Sequence, residues 1–353
     1  MKITILAALF TTILWTAPTH AEGVGFARLT IADPMGGEMQ VSLWYPTLER
    51  GGTVKLGPYK IEAVRNALPL EGQRGLVVIS HGTEGSDLGH RNIAMALARQ
   101  GIIAAAPLHP RDNFKDNSGV GRRVVMEGRP RQITSVIDAL VSHDVWGTRI
   151  DPKRIGAFGF SLGGYTVLAA LGAEPEMMLI AEHCGVPNSD PFCTIVESQD
   201  GSLHALLEQE FQSPFDGLGD GRLCAASIVD PVAVTFSDAA LADIQALHIE
   251  VWRPEFQNVL SADAHASRVV QQLNLRSVSE VTPEIIVKGA QHYSFLAPFP
   301  WRLKWVLPSE MTQDSPEFDR AIFQEKFAQE NARFLVEALE SCAKANEDSS
   351  LKK

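Results

Sequence analysis

The amino-acid sequence predicts an α/β fold built on a mostly parallel, doubly wound sheet. From residue 75 onwards, short apolar runs alternate with amphipathic helical segments, and repeated β-α units of this kind form parallel sheets. The composition, with 45% hydrophobic and 21% charged residues in a chain of 353, fits a folded protein with a sizeable core. An antiparallel hairpin is expected before the alternation, and a cysteine-containing insertion within it.

The first 21 residues are typical of a secretory signal peptide. Lys2 precedes an apolar run from Ile3 to Trp15, and the segment ends at Ala21. The run is shorter than the ~20 residues that a membrane-spanning helix needs, so a retained anchor is the less favoured alternative. We therefore predict cleavage after Ala21, a periplasmic or secreted protein, and a single domain over residues 22–353.

Charge and cysteine content restrict the partners. The formal net charge is −11, which argues against binding of nucleic acid or of anionic lipid headgroups through bulk charge. Three of the four cysteines, Cys184, Cys193 and Cys224, lie close in sequence, and the fourth is Cys342. We expect at least one disulfide among these three, with Cys184–Cys193 favoured. Zinc is the alternative, but the chain has no CxxC or HExxH spacing, and we expect neither a metal nor a cofactor.

The elements follow from hydrophobic periodicity. Residues 26–47 alternate apolar and polar positions around a Pro/Gly turn, which predicts the hairpin, and residues 48–74 form a polar surface excursion. Residues 184–222 break the β-α alternation and are interpreted as an insertion or cap that covers the edge of the sheet. The remaining strands are expected at 76–79, 102–106, 154–158, 224–229, 248–252 and 284–287. The helices are expected at 89–100, 129–143, 162–171, 237–245, 263–273 and 316–342.

A candidate nucleophile lies in the stretch Gly159-Phe160-Ser161-Leu162-Gly163, where a predicted strand passes into a predicted helix. The glycines leave room for a strained turn that exposes the Ser161 hydroxyl. The following helix N-terminus directs backbone N–H groups toward developing negative charge. The alternative is that Ser161 merely caps the helix, and we favour the nucleophile.

A serine nucleophile needs a base and an oxyanion site. His292 is the histidine that directly follows the last predicted strand, which is where chain order places the base. His81 comes too early, and its ring is expected to bond the loop after the first central strand. That loop is expected to contribute the backbone N–H of Thr83 to an oxyanion hole, together with the N–H of Leu162.

Two carboxylates compete as the acid that orients His292. In many serine hydrolases with this chain order the acid follows the next-to-last strand, where this chain has Gln257, a neutral amide, two residues after Glu255. Asp230 ends the strand before that one, and Pro231 directs the chain outward. We favour Asp230 over Glu255 because a carboxylate at a strand's carboxyl end is well placed to hold the imidazole.

Five motifs carry a family resemblance. The chain resembles bacterial dienelactone-hydrolase-like esterases and, more closely, the secreted platelet-activating factor acetylhydrolases, over roughly residues 24–300 without the insertion. The second family also takes its acid from the earlier strand and has a Phe-Gln pair where Phe256-Gln257 stands. The motifs are WYPT (44–47), SHGTEG (80–85), GFSLGG (159–164), the aspartate of IVDP, and GAQHYSF (289–295).

The resemblance implies an α/β-hydrolase fold and hydrolysis of short acyl esters without a metal. By position, it implies Ser161 as nucleophile, Asp230 as acid and His292 as base. True dienelactone hydrolases use a cysteine nucleophile, so Ser161 argues against that particular reaction. We therefore expect an exported serine carboxylesterase for small-molecule or lipid esters, extending to phospholipids. The alternatives are a serine peptidase or amidase on the same fold, and a non-catalytic periplasmic binding protein.

The stretch 295–308 directly follows the candidate base. It contains Phe295, Phe299, Trp301 and Trp305 together with two basic residues. We favour buried aromatic packing with solvated basic side chains. The alternatives are a wall of the acyl pocket and a surface for peripheral membrane contact.

Overall fold

The computed structural model describes residues 21–186, 190–197, 203–246, 248–276 and 280–351. The predicted signal peptide therefore lies, apart from Ala21, outside the described residues. The strands are β1 (Gly23–Ala32), β2 (Glu38–Thr47), β3 (Val54–Leu56), β4 (Tyr59–Ile61), β5 (Val64–Arg65), β6 (Arg74–Ser80), β7 (Ile103–Pro107), β8 (Ile150–Phe160), β9 (Leu223–Val229), β10 (His248–Pro254) and β11 (Glu284–Val287). The helices are α1 (Arg91–Arg99), α2 (Arg123–Met126), α3 (Gly128–Val141), α4 (Leu162–Ala170), α5 (Met178–Cys184), α6 (Pro191–Glu197), α7 (Leu203–Glu210), α8 (Asp238–Ala242), α9 (Ala266–Asn274), α10 (Ser309–Thr312) and α11 (Arg320–Leu351).

One large sheet organises the described part of the chain. Nine strands are paired in the order β11-β10-β9-β8-β6-β7-β2-β1-β5. Neighbouring strands from β11 to β7 pair in parallel, whereas β2 pairs antiparallel with both β7 and β1. The predicted mostly parallel sheet with an N-terminal antiparallel hairpin is confirmed. The excursion after the hairpin contributes three further short strands, β3 to β5, that its polar composition did not predict.

Helices cover both faces of this sheet, as the buried apolar runs of the parallel strands require. On one face, Ile133 and Val136 of α3, Tyr165 of α4 and Val269 of α9 are buried in a common apolar cluster. On the other face, Leu97 of α1 packs in a second cluster with α11. Among the residues that the structure describes, no helix is long and apolar enough to cross a membrane.

The insertion packs on one face of the sheet. Its apolar side chains Leu207 and Phe215 join the cluster that contains α3 and α4. Arg123, at the start of α2, donates hydrogen bonds to the carbonyl oxygens of Ser213 and Pro214 at 2.6 and 3.0 Å. The described part of the insertion therefore packs against the helices of one face, and the expectation that it covers the edge of the sheet stays a prediction.

Two disulfides form, and they involve all four cysteines. Cys184–Cys193 is the pairing favoured from the sequence, and it is confirmed. Cys224–Cys342 joins β9 to α11 across 118 residues of sequence and was not anticipated. It forms because α11 crosses the face of the sheet directly over β8 and β9, which no local pattern reveals.

A buried carboxyl group lies between β10 and α11. Ser227 Oγ lies 2.8 Å from Glu250 Oε1 and 2.5 Å from Asn331 Oδ1, while Asn331 Nδ2 donates to the carbonyl of Phe327. A hydroxyl has one hydrogen to donate, so a proton on Glu250 allows both contacts to be hydrogen bonds. Burial raises the pKa of Glu250 to about 7, although hydrogen bonds to neighbouring groups act in the opposite direction.

Replacing this carboxyl by an amide is expected to change how stability depends on pH. Above pH 4.5 the unfolded Glu250 loses its proton while the folded form keeps it up to about pH 7, so wild-type stability falls across this window. Glu250→Gln does not ionise. The wild type should lose about 2 kcal/mol of unfolding free energy relative to Glu250→Gln between about pH 5 and about pH 8.

Denaturant unfolding at a series of pH values measures this difference. Glu325→Gln, which removes an exposed carboxylate from α11, the helix that packs beside Glu250, is the matched control and should track the wild type. Parallel stability curves for the wild type and Glu250→Gln would contradict the assignment of a proton to Glu250.

Candidate active site

Ser161 occupies a strained turn between β8 and α4. Its backbone has φ 57° and ψ −119°, in the left-handed half of conformational space that residues other than glycine rarely adopt. Glycines on both sides make the turn possible. A Cβ atom at Gly163 would clash with the carbonyl oxygen of Ser80, and one at Gly159 would clash with the carbonyl oxygen of Gly163. The GFSLGG stretch thus forms a tight strand-turn-helix with the serine at its apex.

The predicted nucleophile, base and acid are in hydrogen-bond contact. His292 Nε2 lies 3.1 Å from Ser161 Oγ, and His292 Nδ1 lies 2.5 Å from Asp230 Oδ2. His292 and Asp230 are each 2% exposed and Ser161 is 9% exposed, so the chain of contacts is shielded and opens to solvent at the serine. The structure thus brings these three residues together, and their roles in catalysis are part of the proposed function.

The backbone holds Asp230 in place. Asp230 directly follows β9 with φ 41°, and its N–H donates to the carbonyl of Trp252 on β10 at 2.8 Å. On the nucleophile side, the N–H of Ser161 donates to the carbonyl of Val229, and the carbonyl of Ser161 accepts from the N–H of Val232 at 3.1 Å. The nucleophile turn and the loop that carries the acid therefore share hydrogen bonds and are positioned as one unit.

The loop after β10 positions the base without contributing a charge. Asn258 Oδ1 accepts the backbone N–H of His292 at 3.1 Å. Glu255, the competing acid, is exposed and accepts the N–H of Gly289 at 2.8 Å, and Gln257 accepts the N–H of Ala262. Since both ring nitrogens of His292 already have partners, neither residue is placed as the acid. The sequence analysis did not identify Asn258 as a residue that positions His292. The available signal was its place in the loop after β10, three residues after Glu255.

Two backbone N–H groups border the serine. The N–H of Leu162 lies in the first turn of α4, where a helix has no internal acceptor for it. The turn after β6 approaches from the other side, since a Cβ added at Gly82 would lie 3.2 Å from Ser161 Cβ. Thr83 is the next residue and is exposed. This arrangement is compatible with the predicted oxyanion hole of Leu162 and Thr83, which stays a prediction.

A fully buried ion pair holds the turn that contains Thr83. Arg129 Nη1 lies 2.5 Å from Asp112 Oδ2, and both side chains are shielded from solvent. Arg129 also donates to the carbonyl of His81, and Asp112 Oδ1 accepts the N–H of Glu84 at 2.7 Å. The pair thus binds the backbone on either side of Thr83. The sequence did not reveal it, because an arginine within an apolar helical pattern looks like a surface residue.

Two neutral histidines complete this support. The ring of His81 bonds the loop as expected: Nδ1 donates to the carbonyl of Gly82, and Nε2 accepts the N–H of His109. His109 lies between Gln132 Oε1 and Ser80 Oγ. Burial, reinforced by the charge of Arg129, lowers the pKa of His81 to about 3 and that of His109 well below its usual value. Both rings therefore act as uncharged hydrogen-bonding groups.

One group of possible metal ligands occurs among the described residues, away from this site. It consists of His183, Asp190 and Cys193. The sulfur of Cys193 is bonded to Cys184, so it is not a free thiolate. Asp190 Oδ2 is instead in hydrogen-bond contact with His183, His265 Nε2 and Ser261 Oγ at 2.9 to 3.0 Å. The cluster attaches the insertion to the start of α9.

The strand order and the strand-turn-helix at Ser161 define an α/β-hydrolase fold. No protein-family model and no curated protein matches the sequence. Solved structures do match. A ferulic acid esterase from Streptomyces cinnamoneus is 16% identical, with 92% of each chain covered and a TM-score of 0.56. A dienelactone hydrolase-like promiscuous phosphotriesterase from metagenomic libraries is 14% identical, with 90% of this chain and 99% of that chain covered and a TM-score of 0.50.

A peptidase shares the fold as well. A puromycin-hydrolyzing peptidase of Mycobacterium tuberculosis is 13% identical, with a TM-score of 0.51. The match covers 88% of this chain and 39% of the peptidase chain. At such low identities these likenesses establish the fold and nothing finer. The specific resemblance to acetylhydrolases therefore rests on the sequence motifs alone.

Loosening the Arg129 contacts is expected to slow reaction at Ser161. Arg129→Lys keeps the charge but cannot reach both Asp112 and the carbonyl of His81, so the turn carrying Thr83 loses its position. The rate of Ser161 labelling by a fluorophosphonate should fall about tenfold to a hundredfold. Arg131→Lys, which lies on the same helix and pairs with Glu127 near the surface, is the control and should label normally. A folded Arg129→Lys protein that labels at the wild-type rate would exclude this positioning role.

Proposed function

We propose that this protein is an exported serine carboxylic ester hydrolase that acts on short acyl esters. The observation that carries the proposal is the shielded chain of contacts from Asp230 through His292 to Ser161, at 2.5 and 3.1 Å. Its setting at the carboxyl ends of parallel strands is where open α/β sheets hold their ligands. Its order along the chain, nucleophile then acid then base, is that of α/β-hydrolases.

The proposed mechanism follows from the geometry. Ser161 Oγ attacks the ester carbonyl carbon while His292 Nε2 takes its proton, and Asp230 stabilises the imidazolium through Nδ1. The N–H groups of Leu162 and Thr83 stabilise the oxyanion of the tetrahedral intermediate. His292 then protonates the leaving alkoxide as the carbon–oxygen bond breaks. Water, deprotonated by the same ring, attacks the carbonyl carbon of the acyl-enzyme. The imidazolium then protonates Ser161 Oγ as its bond to the acyl carbon breaks, and the carboxylic acid leaves.

Charge near the base bears on the substrate class. Burial and the negative charges of Glu310 and Glu84 raise the pKa of Tyr293, whose ring lies 5.0 Å from that of His292. The negative charge of these two carboxylates near Tyr293 disfavours anionic esters and promotes departure of the carboxylate product. We propose neutral or zwitterionic short-acyl esters as substrates, including phospholipids of the kind that platelet-activating factor acetylhydrolases deacylate. The acetylhydrolase-like motifs support this choice.

Export is proposed on two grounds. The N-terminal 21 residues have the pattern of a secretory signal. The two disulfides are stable in an oxidising compartment and are rare in the cytosol. A periplasmic or secreted location is therefore favoured.

Peptide or amide hydrolysis is the second candidate, because a peptidase shares the fold. The same three side chains cleave amides in serine peptidases. A chromogenic panel that pairs each acyl group with an ester and with an amide decides between the two. Turnover of aminoacyl amides without turnover of acetyl or butyryl esters would replace the esterase proposal.

Removing the Ser161 hydroxyl is expected to abolish the reaction. Ser161→Ala should lose turnover of an acetyl ester and covalent labelling by a fluorophosphonate, because the Ser161 hydroxyl is the nucleophile that contacts His292 Nε2 in the described structure. Its thermal unfolding should stay cooperative, which serves as the control for folding. Residual labelling of a folded Ser161→Ala protein would show that the nucleophile lies elsewhere.

The acid is tested by paired substitutions. Asp230→Asn leaves the imidazole without a carboxylate and should lower kcat by about three to four orders of magnitude, with KM changed far less. Glu255→Gln is the matched control, since that exposed side chain bonds Gly289 and should cost about tenfold at most. Steady-state kinetics on one acetyl ester measures both. An active Asp230→Asn beside an inactive Glu255→Gln would move the acid to the loop after β10.

A further inference from the structure

The segment 299–306, called here the interfacial segment, exposes large apolar side chains. Trp301, Trp305 and Val306 are 68%, 82% and 74% exposed. The prediction that both tryptophans pack inside is therefore wrong. The three other tryptophans of the described chain, at positions 44, 146 and 252, are all buried. Two exposed indoles within five residues form an apolar surface that the described part of the chain leaves largely uncovered.

The interfacial segment begins at a well-anchored point beside the active site. The preceding Phe295 is buried and packs against Phe327 with ring centroids 5.3 Å apart. The N–H of Ala297 donates to the carbonyl of Gly89, and Arg91 donates to the carbonyl of Pro298. The 3₁₀ turn His292–Phe295 contains the proposed base. Both exposed tryptophans lie within thirteen residues of His292 along the chain.

Basic residues alternate with the exposed apolar ones. Arg302 and Lys304 are exposed between Trp301 and Trp305, and the Arg302 guanidinium lies 5.3 Å from the centroid of the Trp301 ring. The chain as a whole carries a formal charge of −11, so this is a local basic site on an acidic molecule. Indole rings flanked by arginine and lysine favour the level of lipid headgroups, where the ring is half in hydrocarbon and the cation meets phosphate.

We infer that the interfacial segment docks on the surface of a phospholipid bilayer. Its cations complement the lipid phosphates, and its indoles enter the headgroup region. A second copy of this chain is the less suitable occupant, because a two-fold contact would bring Arg302 and Lys304 of both copies together. Docking there would bring to the membrane a segment that begins four residues after the 3₁₀ turn with His292. The inference rests on the proposed function for the substrate, and it adds the surface through which the protein reaches lipid-borne esters.

Vesicle binding tests the inference without any requirement for activity. Ser161→Ala protein is sedimented with phosphatidylcholine vesicles that contain about one part in five of phosphatidylglycerol, at low and high salt. Trp301→Ser with Trp305→Ser should weaken binding about a hundredfold, or about tenfold for each ring. Arg302→Gln with Lys304→Gln should weaken it several-fold, and mostly at low salt. Leu68→Ser, which removes an apolar side chain that is 79% exposed beside β2, is the control and should bind normally.

Separate outcomes distinguish the alternatives. Binding that survives the double tryptophan substitution would overturn the inference, as would an absence of binding by the parent protein. Loss of a dimer in that variant, seen by sedimentation velocity without vesicle binding, would assign the surface to self-association instead. In catalytically competent protein, the tryptophan variant should keep its kcat/KM on a soluble acetyl ester and lose activity on vesicle-borne ester. Inactivity of the parent on every ester would refute the proposed function while leaving the vesicle measurement intact.

Discussion

The candidate site depends on one backbone turn, in which Ser161 adopts a φ of 57° between β8 and α4. A residue other than glycine in such a conformation costs about 1–3 kcal/mol, so the surrounding structure has to hold it there. The hydrogen bonds from Ser161 to Val229 and from Val232 to Ser161 do so by joining the turn to the loop after β9. Asp230 in that loop also has a positive φ. The two strained residues thus stabilise each other's geometry, and a change in one loop is transmitted to the other.

Because the ring of His292 contacts Asp230 after β9, the loop after β10 supports it in a different way. The three polar residues of that loop accept hydrogen bonds from backbone N–H groups, and none of them contacts the ring. Asn258 holds His292 by its backbone, Gln257 closes its own loop on Ala262, and Glu255 holds Gly289. The ring of His292 is therefore oriented from one side by the charge of Asp230, while its main chain is fixed from the other side. The charged partner of the His292 ring thus comes from the loop after β9, and the hydrogen bond that fixes its main chain comes from the loop after β10.

The sequence predicts features that depend on local periodicity or on strand order. The sheet type, the hairpin, the contact of Ser161 with His292 and the Cys184–Cys193 bridge all follow from such patterns. Features that depend on packing between distant elements were not predictable. The Cys224–Cys342 bridge requires that α11 crosses β9, and the buried role of Arg129 requires that α3 lies below the turn after β6. The exposure of Trp301 and Trp305 was not predicted, because a hydrophobic side chain favours burial but the sequence does not show whether another element lies close enough to cover it.

The proposed mechanism requires His292 to change protonation, whereas the histidines that support the turn after β6 act as neutral groups. Burial lowers the pKa of His81 and of His90 to about 3, and it lowers that of His109 well below its usual value. These rings therefore stay neutral through the range in which enzymes work. Because His81 and His109 hold the turn after β6 as neutral groups, its geometry does not change as pH falls toward the range in which an ordinary histidine titrates. Among the buried histidines around Ser161, His292 is the one whose ring contacts a carboxylate, Asp230 Oδ2 at 2.5 Å.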